Sequence, residues 1–100
     1  MNWRYQPVYA DDDAGRAVTV CECYFDEHGK LQMWTEDMSS AASGETPEEL
    51  QRDLIRMLAD AYKWEPVPFA SLHVGMTFER TGVDVEGMLA AMNMARGMLA

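Results

Sequence analysis

Thr46-Pro47-Glu48-Glu49 is the one stretch of this chain with a single local reading, the start of a helix. The threonine hydroxyl can accept from an unbonded amide of the first turn, and the proline suits the first helical position. Glutamate at the third position complements the helix dipole. Beyond it Leu50, Leu54, Met57, Leu58 and Ala61 recur on one stripe, while Arg52, Asp53, Arg56, Asp60 and Lys63 fill the rest. The spacing predicts a helix over Pro47 to Lys63 packed on a sheet, with Glu48–Arg52 and Arg56–Asp60 as i,i+4 pairs. Trp64-Glu65-Pro66-Val67-Pro68-Phe69 ends it, since two prolines remove donors and hold their predecessors extended.

Upstream the period changes to two. Trp3, Tyr5, Pro7 and Tyr9 alternate with Arg4, Gln6 and Val8, and Pro7 marks an edge strand or its end. Asp11-Asp12-Asp13-Ala14-Gly15-Arg16 is a turn by composition, and Ala17 to Phe25 is a β-branched and aromatic run. A second turn, Asp26-Glu27-His28-Gly29-Lys30, feeds Leu31 to Thr35. The expectation is a three-stranded antiparallel meander, linked to the helix by the small, polar Ser39 to Gly44 segment.

Downstream, Val74, Met76 and Phe78 alternate within Leu72 to Arg80 and predict a short fourth strand. Asp84 caps a second helix from Val85 to about Leu99, with Val85, Met88, Met92, Ala95 and Leu99 on one face. That helix carries two glycines, Gly87 and Gly97, and few charges, so it needs a partner surface, its own sheet or a second copy. A homodimer through this face is the corresponding expectation.

One hundred residues suffice for one domain, with a 1–69 core and a 70–100 extension. Hydrophobic residues at 48% argue for a folded chain despite a net charge of −9. No apolar run approaches signal-peptide or membrane-span length, so the sequence predicts a cytoplasmic protein with no membrane contact. Cys21 and Cys23 sit two apart in a strand, on one face, and read as reduced core thiols.

Charge is uneven. Residues 1–49 hold eleven acids and three bases, whereas residues 50–100 hold six and five. A negative meander would steer a basic partner, and Asp11, Asp12, Asp13, Asp26 and Glu27 in the two turns are the residues expected to do so. The sequence pI of about 4.4 and the lack of a basic stripe argue against direct nucleic-acid binding. The Asp11–Asp13 run has neither the alternate spacing nor the closing glutamate of a calcium loop. His28 and His73 are isolated, and Gly29, Gly44 and Gly75 are single glycines. No catalytic residue, metal site or cofactor site is identified.

The order strand, strand, strand, helix, with Gly44-Glu45-Thr46-Pro47-Glu48-Glu49-Leu50 opening the helix and Pro66-Val67-Pro68 following it, resembles the HicB-type antitoxin domain over about Trp3 to Phe69. The resemblance implies a β-β-β-α-β core and neutralisation of a small basic RNA-cleaving toxin. Asp26 to Thr35 stands where that family has a proline-, glycine- and cysteine-containing segment.

The expected fold is therefore α+β: a three- or four-stranded antiparallel sheet in β-β-β-α-β-α order, one helix on a face, and a C-terminal helix. The expected function is that of a non-enzymatic acidic binding protein engaging a basic protein. Two alternatives are an accessory protein of a phage or mobile element that mimics nucleic-acid charge, and a small enzyme whose site the sequence hides.

Overall fold

The computed structural model describes residues 2–90 and 92, and its fold is α+β. Strands β1 (Asn2–Asp12) and β2 (Gly15–Phe25) form a long antiparallel hairpin, and β3 (Leu31–Trp34) adds to the far side of β2. Asp12 pairs with Gly15, so the first turn is tighter than the Asp11–Arg16 composition suggested. The second turn is built on Asp26, whose carboxylate accepts from the amides of His28 and Lys30, both at 2.9 Å. Gly29 takes a φ of 77° there, a conformation that a side chain would oppose.

Helix α1 (Pro47–Lys63) has the bounds its sequence signals required. The Thr46 hydroxyl accepts from the Glu49 amide at 3.1 Å, and the Glu49 carboxylate reaches back to the Glu45 amide at 2.8 Å. Gly44 packs so closely on this first turn that a Cβ would lie 2.5 Å from the Leu50 amide nitrogen. The expected Glu48–Arg52 and Arg56–Asp60 pairs do not form: among the described residues the one Arg or Lys paired with a carboxylate is Arg16, on Asp11.

The fourth strand lies elsewhere than the alternation of Val74, Met76 and Phe78 suggested. It is β4 (Val67–Pro68), and it runs parallel to β1 at Val8 and Tyr9, giving the order β3-β2-β1-β4. Residues 72–79 form no strand; they turn at Val74 and Gly75, and the Leu31 amide and carbonyl bond to Met76 and Gly75 at 2.8 and 2.7 Å. Alternation arises there because Met76 and Phe78 pack on the core between exposed neighbours.

The core sits on the sheet face that carries Arg4, Gln6 and Val8, not on the aromatic face of β1. Val8, Cys21, Cys23, Phe25 and Leu31 are closed over by Leu72, Phe69, Met76 and Phe78 from the segment after α1. Both cysteines are free and buried. A hydrogen bond to Cys21, then burial, pushes the Cys23 thiol well above its ordinary value. Gln6 is fully buried yet satisfied: its Nε2 donates to the carbonyls of Pro7 and Glu65 at 3.0 and 2.9 Å, and its Oε1 accepts from Arg4 at 2.7 Å.

Helix α1 meets the sheet through polar atoms. Asp60 accepts from the Tyr5 amide at 3.0 Å, and Asp53 accepts from the Tyr5 hydroxyl at 2.6 Å. Asp53 also accepts from the Ser43 amide at 2.9 Å, which ties the connecting segment to the helix. These carboxylates are seven residues apart, two turns on one side of the helix. That side, and not the Leu50–Ala61 stripe, faces β1. As a result α1 contains no buried residue.

The hydrogen bond from Tyr5 holds the Asp53 carboxyl below the usual carboxylate range, whereas burial raises Asp60. The two act oppositely with pH. Asp53 contributes stability that is present above its unfolded pKa and fades as pH falls through the lower folded value; protonation of Asp60 relieves a cost. Tyr5→Phe should cost about 1–2 kcal/mol in urea unfolding at neutral pH, with the deficit shrinking at a pH acid enough to protonate Asp53. A deficit that is equal at both pH values would detach Asp53 from helix docking. Gly44→Ala should cost about 1–3 kcal/mol by overpacking on the first turn of α1, measured the same way; a change under about 0.5 kcal/mol would show that the segment moves aside.

Candidate functional site

The five carboxylates expected to meet a partner fall into two groups. Asp11, Asp12 and Asp13 lie at the β1–β2 turn, and Asp26 and Glu27 at the β2–β3 turn. The eleven residues of β2 separate the groups by roughly 35 Å at about 3.3 Å per residue. They do not converge on one site.

Within each group the local roles differ. Asp11 binds Arg16 through two bonds of 2.8 and 3.2 Å, which hold its carboxyl low, and Asp12 accepts from the Ala14 amide at 2.8 Å. Asp26 is the turn former, its carboxyl lowered chiefly by the Lys30 amide. Asp13 and Glu27 project into solvent, Glu27 with His28 as its neighbour at 3.5 Å. Of the acidic turn residues, these two are the least occupied by the fold itself.

Residues 85–90 are helical, with the Asp84 carboxylate accepting from the Gly87 amide at 3.0 Å. Val85 and Met88 of the expected dimer face are half-buried and Met92 is exposed; Ala95 and Leu99 lie outside the described residues.

The sequence did not reveal that the apolar stripe of α1 is left only partly covered by the described residues. Leu50, Leu54, Ile55 and Tyr62 remain 38%, 50%, 53% and 46% exposed, in a helix whose opposite side is bound to Tyr5. Leu50 and Leu54 belong to the expected stripe and Ile55 and Tyr62 lie beside it, while Met57 and Leu58 are half-buried, so four large apolar side chains over three turns stay exposed where single ones would be ordinary. The apolar periodicity did signal the stripe; only its burial was assumed.

A second feature lies at the start of β1. The Arg4 guanidinium is stacked 3.7 Å from the centroid of Trp64, 4.7 Å from Phe25 and 5.2 Å from Phe78. Burial pulls it down to about 10, and it pairs with no carboxylate among the described residues. Its Nη1 serves the Tyr5 carbonyl at 3.0 Å and Gln6. The indole nitrogen of Trp64 is buried with no hydrogen-bond partner. Arg4 and Trp64 line one cavity of about 260 Å³ with Phe25 and Phe78, and no acidic residue contributes to its wall.

Two larger clefts flank α1. One of about 380 Å³ lies between Trp3, Tyr5, Arg52 and Arg56; another of about 550 Å³ lies between Lys63, Arg80 and the 82–89 segment. Carboxylates and bases are mixed in both: Asp60 lies in the larger cleft and the Tyr5–Asp53 pair in the smaller. Among the described residues no three His, Cys, Asp or Glu side chains gather as a metal site would require, and no helix is long and apolar enough to cross a membrane. No protein-family model, no curated protein and no solved structure matches this chain.

Proposed function

We propose that this chain is a non-enzymatic protein-binding domain, similar to HicB-type antitoxins, whose partner is a small basic protein. The observation that carries this reading is the exposure of Leu50, Leu54, Ile55 and Tyr62 on α1 in a protein of net charge −9. A helix of 17 residues that buries none of them gains little from packing on its own sheet. A partner seated on Leu50, Leu54 and Ile55 would supply the missing burial.

Charge sets the sign of that partner. Of the 17 acidic residues only Asp11 is paired with an arginine or lysine, so the negative field is largely uncompensated within the described structure. Exposed charge of this kind accelerates encounter, and the apolar contact then limits dissociation. The hairpin ends act as steering charges; the helix face is the seat.

The test is co-expression with any small basic protein encoded in the adjacent reading frame, followed by measurement of association and dissociation rates. Asp13→Lys combined with Glu27→Lys should slow association several-fold and flatten its salt dependence, leaving dissociation nearly unchanged. Leu54→Asp should accelerate dissociation by at least about tenfold, a loss of roughly 1.4 kcal/mol or more. The reading fails if no basic protein is encoded there, or if the two proteins form no complex at micromolar concentration.

A further inference from the structure

We infer that the cavity between Arg4, Trp64, Phe25 and Phe78 is a binding site for a small carboxylate carrying an apolar body. Arg4 points to an anion, and Trp64 adds an unfilled hydrogen-bonding group in a residue of the same lining. Arg4 brings a full positive charge to the wall of an aromatic cavity with no acidic residue in its lining. Beside it the Trp64 indole N–H is buried and unbonded, although buried donors are nearly always satisfied by protein, water or ligand.

The guanidinium has donors to spare. Its Nη1 is used by Tyr5 and Gln6, but its Nε and Nη2 meet no acceptor among the described residues. A planar guanidinium with adjacent free N–H groups matches a carboxylate in geometry as well as charge. Stacking on Trp64 fixes the plane of the fork, which lowers the ordering cost of a second contact.

Lining and size select the rest of the ligand. Phe25 and Phe78 meet edge to face at 5.8 Å and offer aromatic surface, with Thr77 and Asn2 as the remaining polar groups. A volume of about 260 Å³ falls below the roughly 300–1,000 Å³ of drug-sized pockets, which suits one ring or a short branched chain. The acidic field of the whole chain repels polyanions, but beyond about 8 Å it is screened at physiological salt, and the local charge governs a compact ligand. The site is separate from the α1 face, so neither proposal depends on the other.

Phenylacetate is the probe, with phenylacetamide as its uncharged isostere. Both are titrated into the ¹⁵N-labelled chain in physiological salt, following the indole N–H signals of the three tryptophans and the arginine Nε–H signals. Phenylacetate should produce saturable shifts at Trp64 and Arg4 but not at Trp34, and phenylacetamide should bind about tenfold more weakly or worse, the usual scale for losing a charge-assisted contact. Arg4→Gln should abolish the preference for the acid. Absence of saturable shifts at millimolar phenylacetate would overturn the inference, as would equal affinity for the two probes. Because the paired probes are compared on the unaltered chain, the outcome is decisive even if Arg4→Gln does not fold.

Discussion

Tyr5 offers α1 two donors, its backbone amide and its hydroxyl, and the helix answers with Asp60 and Asp53. The rest of the arrangement follows from this pair of bonds. They fix which side of the helix faces β1, and a helix has only so many sides: with two carboxylates turned inward, Leu50, Leu54 and Ile55 are left exposed. They also leave the opposite sheet face free for the segment after the helix, which returns from Trp64 through β4 and a single 3-10 turn at Phe69–Ser71 to lay Leu72, Met76 and Phe78 on the cysteines. The core is thus made of hairpin and return segment, with α1 as an external brace.

Gln6 joins the two halves. It lies on the core face of β1 and holds the Glu65 carbonyl just past the helix, at the point where the chain must reverse. Thr81 and Glu65 complete the reversal by bonding to Lys63 and Glu79 at 3.0 Å each. A buried amide that uses both its donors and its acceptor specifies one geometry more sharply than an apolar side chain of equal size, because any shift leaves a polar group unpaired.

Much of this was legible in the sequence, and the failures have definite causes. The bounds of α1 followed from Thr46, Pro47 and Lys63 because capping is local chemistry. The first strand followed from alternation and the second from its β-branched and aromatic run, but alternation gives two faces and not their roles, and Arg4 and Gln6 lie on the core side of β1. Arg4 can be buried because three aromatic rings surround its guanidinium, and those rings come from Phe25, Trp64 and Phe78, far apart in sequence. The same limit hid the orientation of α1, since no periodicity reveals that Asp53 and Asp60 will meet Tyr5. The acidic turns carry an ambiguity of another kind: aspartate is both a charge and a turn former, and in Asp12 and Asp26 the second role takes up the carboxylate.

The outer edge of β1 is closed in two ways on alternate residues. Successive amides of a strand point to opposite sides, so the Tyr5 N–H and the Pro7 nitrogen share the side away from β2: the first is taken by Asp60 and the second has no hydrogen to offer. Next along the strand, Val8 and Tyr9 pair with Val67 and Pro68 of β4. The Tyr5 amide is therefore a strand hydrogen sheltered by a helix side chain, and its exchange with solvent reports the lifetime of the α1 contact instead of the opening of the sheet. A single backbone position thus separates the motion of the brace from the motion of the core.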